Sequence, residues 1–124
     1  MHRQILIVAQ DAFACELIRL SLSGLQAEIH WVGDRGRMQR ICRRITFDLI
    51  LVVGASHFLC GGHPVREVRP AGLRRPKIYL LSWQQSEQTV LGLLEAGVDQ
   101  YLTFPVNLHR LRRKVADELE QTAF

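Results

Sequence analysis

No apolar run in this chain approaches the ~20 residues that a bilayer-spanning helix needs. The N-terminal residues Met1 to Gln4 lead straight into Ile5-Leu6-Ile7-Val8. That run is too short for the core of a signal peptide, and no small-residue cleavage site follows it cleanly. Cysteine is scarce and odd in number: Cys15, Cys42 and Cys60 are widely spaced and make no disulfide framework. Cys15 and Cys42 fall inside helix-like patterns, where cysteine packs as a small apolar group. These features predict a cytoplasmic protein in a reducing compartment, with no membrane contact. Internal repeats, linkers and low-complexity stretches are also missing. Charge of one sign does not dominate: 16 basic residues against 12 acids leave a net +4, which permits an acidic partner without requiring one.

What is present fits one domain over residues 1–124, 48% hydrophobic and 23% charged. Its centre is Leu49-Ile50-Leu51-Val52-Val53, five apolar residues between Phe47-Asp48 and Gly54. Three of the five are β-branched, and the run does not alternate. That reads as a central strand of a parallel sheet, buried on both faces. In such sheets ligands bind beyond the carboxyl ends of the strands, so function is expected in the loop after Val53.

The rest of the chain alternates strand and helix. Gln4 to Val8 is the first strand, and Asp11 caps a helix whose inner face is expected to be Phe13, Leu17, Leu20 and Ile18. Ala27 to Val32 is a wetter strand near the edge. Asp34 caps a helix to about Ile45, with Met38, Ile41, Cys42 and Ile45 inward and Arg37, Arg40, Arg43 and Arg44 outward. Residues 54–76 are rich in glycine and proline, with a short third helix expected near Pro64 to Arg69. Lys77 to Leu81 is the fourth strand. Ser86 or a neighbour caps a fourth helix with Val90, Leu91 and Leu94 inward and Gly97 past its end. Asp99 to Thr103 is the fifth strand. Asn107 caps a last helix carrying Leu108, Leu111, Val115 and Leu119. Five strand–helix repeats argue for a three-layer α/β domain with right-handed crossovers.

Ile5 to Val8, Asp48 to Val52, Leu80-Leu81-Ser82 and, most specifically, Ala96-Gly97-Val98-Asp99-Gln100-Tyr101-Leu102-Thr103-Phe104-Pro105 together resemble a response-regulator receiver domain. The resemblance covers nearly the whole chain. It implies a doubly wound, flavodoxin-like parallel sheet of five strands in the order 2-1-3-4-5, with helices on both faces. It also implies a role in two-component signal transduction and, commonly, a cis bond at Phe104-Pro105.

Receivers carry an acidic pair after strand 1, a phosphoacceptor aspartate after strand 3, a Ser or Thr after strand 4 and a lysine before the proline. The aspartate attacks a phosphoryl group, and a carboxylate-held magnesium ion neutralises the developing charge. In this chain the acidic pair falls on Ala9 and Gln10, the acceptor on Val53 and the lysine on Phe104. Ser82 and Tyr101 keep the family types, and Asp11 is a lone nearby acid. Asp48 sits at the other end of strand 3, roughly 17 Å away at ~3.3 Å per residue. The expectation is a degenerate receiver, not an enzyme, with no cofactor, no metal and a phosphate site filled by side chains. Its output is expected through protein contact, to a partner or a second copy, on the face formed by the fourth helix, fifth strand and last helix. Tyr101, Pro105, Arg110 and Arg113 belong to that face.

Two alternatives come from other classes. The altered cleft around Ala9, Val53, Ser82 and Phe104 could sense a small molecule, which an open pocket there would favour. The arginine faces could bind an anion or nucleic acid, but no aromatics or recognition helix accompany them, so nucleic acid is not expected for this domain alone. His57, Cys60 and His63 recur every third residue, yet lack a fourth ligand and a standard zinc spacing. On the last helix, bases crowd the first half and acids the second, against the helix dipole. Arg113–Asp117 and Lys114–Glu118 pairs are expected to offset this.

Overall fold

A computed structural model describes residues 3–54, 76–83 and 85–121. The elements are β1 (Arg3–Val8), α1 (Ala12–Ser21), β2 (Ala27–Val32), α2 (Arg35–Arg44), β3 (Leu49–Val53), β4 (Lys77–Ser82), α3 (Glu87–Glu95), β5 (Gln100–Thr103) and α4 (Leu108–Gln121). The expected helix at residues 64–69 and the His57, Cys60 and His63 set lie outside the described residues.

The five strands form one sheet in the order β2-β1-β3-β4-β5, and every pairing is parallel. The central run explains this. Successive side chains of a strand point to opposite faces, and all of Leu49 to Val52 are buried, so apolar layers must lie on both sides. Leu6, Val8, Ile50, Val52, Ile78 and Leu80 pack with Met38 and Cys42 of α2 and Leu93 of α3. Ile5, Ile7, Leu49, Leu51, Tyr79 and Leu81 pack with Cys15 and Ile18 of α1 and Leu111, Val115 and Leu119 of α4. Each fully buried aliphatic side chain contributes about 1.5–3 kcal/mol. The strand-entry ends are tied by two matching aspartates. Asp48 accepts the Gln4 amide at 2.8 Å, and Asp99 accepts the Ile78 amide at 2.8 Å.

The helix starts follow the expected caps. Asp11, Asp34, Ser86 and Asn107 accept the amides of Phe13, Arg37, Thr89 and Arg110 at 2.8–3.2 Å. Such caps are worth about 0.5–2 kcal/mol each. Gly97, past the end of α3, takes φ +113°, the left-handed conformation that lets the chain turn into β5.

Two expected helix faces are corrected. On α1 the sheet side is Cys15 and Ile18, continued by Leu22, whereas Phe13, Leu17 and Leu20 are 69%, 39% and 58% exposed. The helix carries two apolar stripes on opposite sides, and the one with the smaller residues faces the sheet. On α3 the buried residue is Leu93, while Leu91 and Leu94 are exposed; the Val98 amide donates to the Leu93 carbonyl at 3.1 Å, and both residues belong to the same buried layer. On α4, Leu108 at the first turn is also exposed. Glu118 does not serve Lys114 but accepts the hydroxyl of buried Tyr79 at 2.8 Å. No ion pair joins Arg113 to Asp117 among the described residues.

Candidate functional site: the carboxyl ends of β1, β3 and β4

The parallel register brings the expected site residues together. Val8 is paired with Val52, Val53 with Leu81 and Ser82 with Thr103. Ala9, Val53, Ser82 and Phe104 therefore emerge side by side at one end of the sheet. The Phe104 amide donates to the Ser82 carbonyl at 2.8 Å, and the Gly54 amide to the Leu81 carbonyl at 2.7 Å. Gly54 holds φ +98°, a left-handed conformation that glycine adopts without a steric penalty.

The chemistry of this row is hydrocarbon. Ala9 is fully buried, and Val53 and Phe104 are half-buried against the layer shared by α1 and α4. The Phe104–Pro105 peptide is cis. The Trp83 ring lies 5.5 Å from that of Phe104 at a tilt of 60°, within the range of favourable aromatic pairing. The Tyr101 hydroxyl donates to the Trp83 carbonyl at 2.6 Å, which pins the chain as it leaves β4. Ser82 is buried.

Acids and amides at this end are few. Gln10 and Asp11 are both exposed, and one Asp11 oxygen is committed to the α1 cap. Asp48 is at the opposite end, bound to Gln4 through both side chain and backbone. Among the described residues no three His, Cys, Asp or Glu side chains converge in a way that could hold a metal ion. A magnesium ion needs several oxygen ligands in near-octahedral geometry, and one exposed carboxylate beside Ala9, Val53 and Phe104 does not fit it.

One contributor was not visible in the sequence. The Trp31 indole, at the end of β2, donates its Nε1–H to the Ala9 carbonyl at 2.8 Å. It thereby occupies the backbone oxygen where β1 ends. No local signal marks this contact, because residues 22 positions apart are joined only once β1 and β2 pair.

The expected contact-face residues divide. Tyr101, Pro105 and Arg110 line a groove of about 410 Å³ between β5 and α4, together with Asn107 and Lys114. Arg113 is exposed on α4 outside it. A second groove of about 410 Å³ runs between α3 and β5 along Glu87, Val90, Leu91 and Tyr101. Neither groove reaches Ala9, Val53 or Ser82.

No protein-family model matches the sequence, and no curated protein does. Solved structures do match. A response regulator from Thermotoga maritima superposes with a TM-score of 0.83 at 17% identity, over 97% of this chain and 99% of that one. A two-component response regulator from Clostridium difficile gives 0.83 at 22% identity, over 99% and 100%. An orphan response regulator of H. pylori gives 0.79 at 13%, over 94% and 96%. The strand order, the two helical layers and these superpositions agree that the chain has the flavodoxin-like fold of a response-regulator receiver domain.

Proposed function

We propose that this chain is a non-enzymatic, cytoplasmic receiver module that works in signal transduction by protein contact, without aspartyl phosphorylation. The observation that carries the reading is the apolar row at the strand ends. Where phosphoryl transfer needs a nucleophilic carboxylate, a metal-binding acidic pair and a cation, the chain supplies Val53, Ala9 with Gln10, and Phe104. Valine has no lone pair with which to attack. Without a charge-changing event at this site, no differential free energy is available there to drive a switch.

The contact face is α3, β5 and α4. Exposed Leu91 and Leu94 give it an apolar centre. Its two flanks differ in sign, with Glu87 and Glu95 on α3 and Arg110, Arg113 and Lys114 on α4. Two copies apposed about a two-fold axis bring acids of one against bases of the other, and an acidic partner protein suits the α4 flank equally.

Incubation with acetyl phosphate and magnesium, followed by intact mass measurement, tests the first half. No phosphoryl adduct is expected, and a stable one overturns the reading. For the second half, an Arg110→Glu, Arg113→Glu double variant is expected to lose self-association or partner binding through this face in sedimentation. Unchanged association would remove the face from the account.

A further inference from the structure

β5 is the last of the five strands, and among the described residues it pairs only with β4. An edge strand presents a row of backbone amides and carbonyls with which a further strand can pair. The groove between β5 and α4 follows that edge. Side chains of a strand alternate between its two faces, yet all four residues from Gln100 to Thr103 border this groove. The groove on the α3 side also borders β5, at Tyr101 and Thr103. The two grooves therefore meet along β5.

Their walls differ in chemistry. On the α4 wall Arg110 and Lys114 stand one turn apart, and no acid borders the groove. Neither cation makes an ion pair with a described residue. Glu118, one turn beyond Lys114, accepts the Tyr79 hydroxyl instead. The α3 wall presents Val90 and Leu91, the latter 56% exposed, and Glu87 on that wall disfavours an acid there. Arg110 and Lys114 are separated by about 6 Å along their helix. Next-but-one residues of a strand share a face at about 6.6 Å, so two acids so placed match the two cations.

Taking α3, β5 and α4 as the contact face, on which this reading rests, we propose that the β5 edge binds an extended segment of a partner protein. The segment alternates acidic and apolar residues and adds to the sheet as a sixth strand. Its acids face Arg110 and Lys114, and the residues between them face Val90 and Leu91. Backbone pairing supplies affinity, and the alternating side chains supply selectivity.

The probe is a synthetic octapeptide alternating glutamate and valine, titrated into the full chain and followed by backbone amide NMR shifts. Binding is expected to move Gln100 to Thr103 and the first two turns of α4, and to weaken as salt rises. R110Q and K114Q are each expected to weaken it about two- to fivefold. R113Q, outside the groove, is expected to leave it unchanged. A peptide of the same composition with its glutamates contiguous is expected to bind about fivefold more weakly or worse. Methylating every second backbone nitrogen of the peptide is expected to abolish binding in one register and spare it in the other. Only alternate amides of an added strand face its neighbour. No shift at millimolar peptide overturns the proposal. So does an equal loss in R113Q, equal binding of the rearranged peptide, or an equal effect of the two methylation patterns. If the peptide fails while the Arg110→Glu, Arg113→Glu variant still loses self-association, the face stands as a contact between copies and the added strand falls. If both fail, the contact face falls with it.

Discussion

Placing a carboxylate at the end of the central strand is the most direct probe of the proposed site. In Val53→Asp the new side chain replaces one that is half-buried, next to fully buried Ala9 and Leu81. Losing the valine contacts costs about 1 kcal/mol, taking roughly half of the ~1.5–3 kcal/mol for a fully buried apolar side chain. Desolvation pushes the new carboxyl upward from its ordinary value near 3.9. Each unit of that rise costs ~1.4 kcal/mol once pH exceeds the folded value. Partial exposure limits the rise to one or two units, so the total is roughly 2–4 kcal/mol at pH 7.5. The sign is fixed by linkage. Below the unfolded value both states are protonated and only the packing loss remains; the charge penalty grows as pH rises through the folded value and then levels off. Urea unfolding of parent, Val53→Asp and the uncharged control Val53→Asn, from pH 4 to pH 7.5, separates the two parts. The variant should also remain unlabelled by acetyl phosphate, because Ala9 and Gln10 offer no metal-binding carboxylate. An aspartate that costs under 0.5 kcal/mol and shows no pH dependence would mean a hydrated cleft, and the argument for a closed site would fail.

Two further outcomes follow from buried polar groups. Burial, and then the bond to Glu118, push the Tyr79 hydroxyl above its usual value of 10, so its stabilisation is intact below pH 10. It is lost above that, at ~1.4 kcal/mol per pH unit. Cys42, raised by burial to about 11 from 9.0, adds a slope of the same sign from pH 9. Tyr79→Phe should therefore flatten alkaline unfolding above pH 10 and leave the Cys42 part in place, as read from urea midpoints between pH 8 and 11.5. Trp31→Phe keeps most of the ring but strips the Ala9 carbonyl of its indole donor, and about 1–3 kcal/mol of stability should go with it. A midpoint unchanged within error would show that this bond does not hold the end of β1.

The strands were legible because burial on both faces leaves a continuous apolar signature that no helix of that length shows. Leu49 to Val53 therefore placed the sheet centre. α2 was equally plain, since its arginines leave a single apolar stripe. α1 and α3 were not. Each carries two candidate stripes, and local sequence favours the bulkier one, Phe13, Leu17 and Leu20 or Leu91 and Leu94. The phase of a helix is set instead by where its ends are tied. Leu22 is buried at the end of α1, and Val98 anchors the residues that follow α3. At the site, residue types at the strand ends could be read directly. Trp31 over Ala9, Trp83 against Phe104 and Glu118 on Tyr79 could not, because each pairs groups that only the finished sheet brings within reach.

The last helix has a consequence for how the chain comes into being. Arg112 reaches across to the carbonyls of Ser21 and Ser23 at the end of α1. Leu111, Val115 and Leu119 complete the layer that covers Ile5 and Ile7. Strand β1 is thus roofed by a helix that the ribosome adds only after all five strands have been made. Until α4 emerges, one side of the sheet stays half bare and α1 lacks its clasp. A nascent or truncated chain ending near residue 105 is consequently a sticky intermediate that cannot close early.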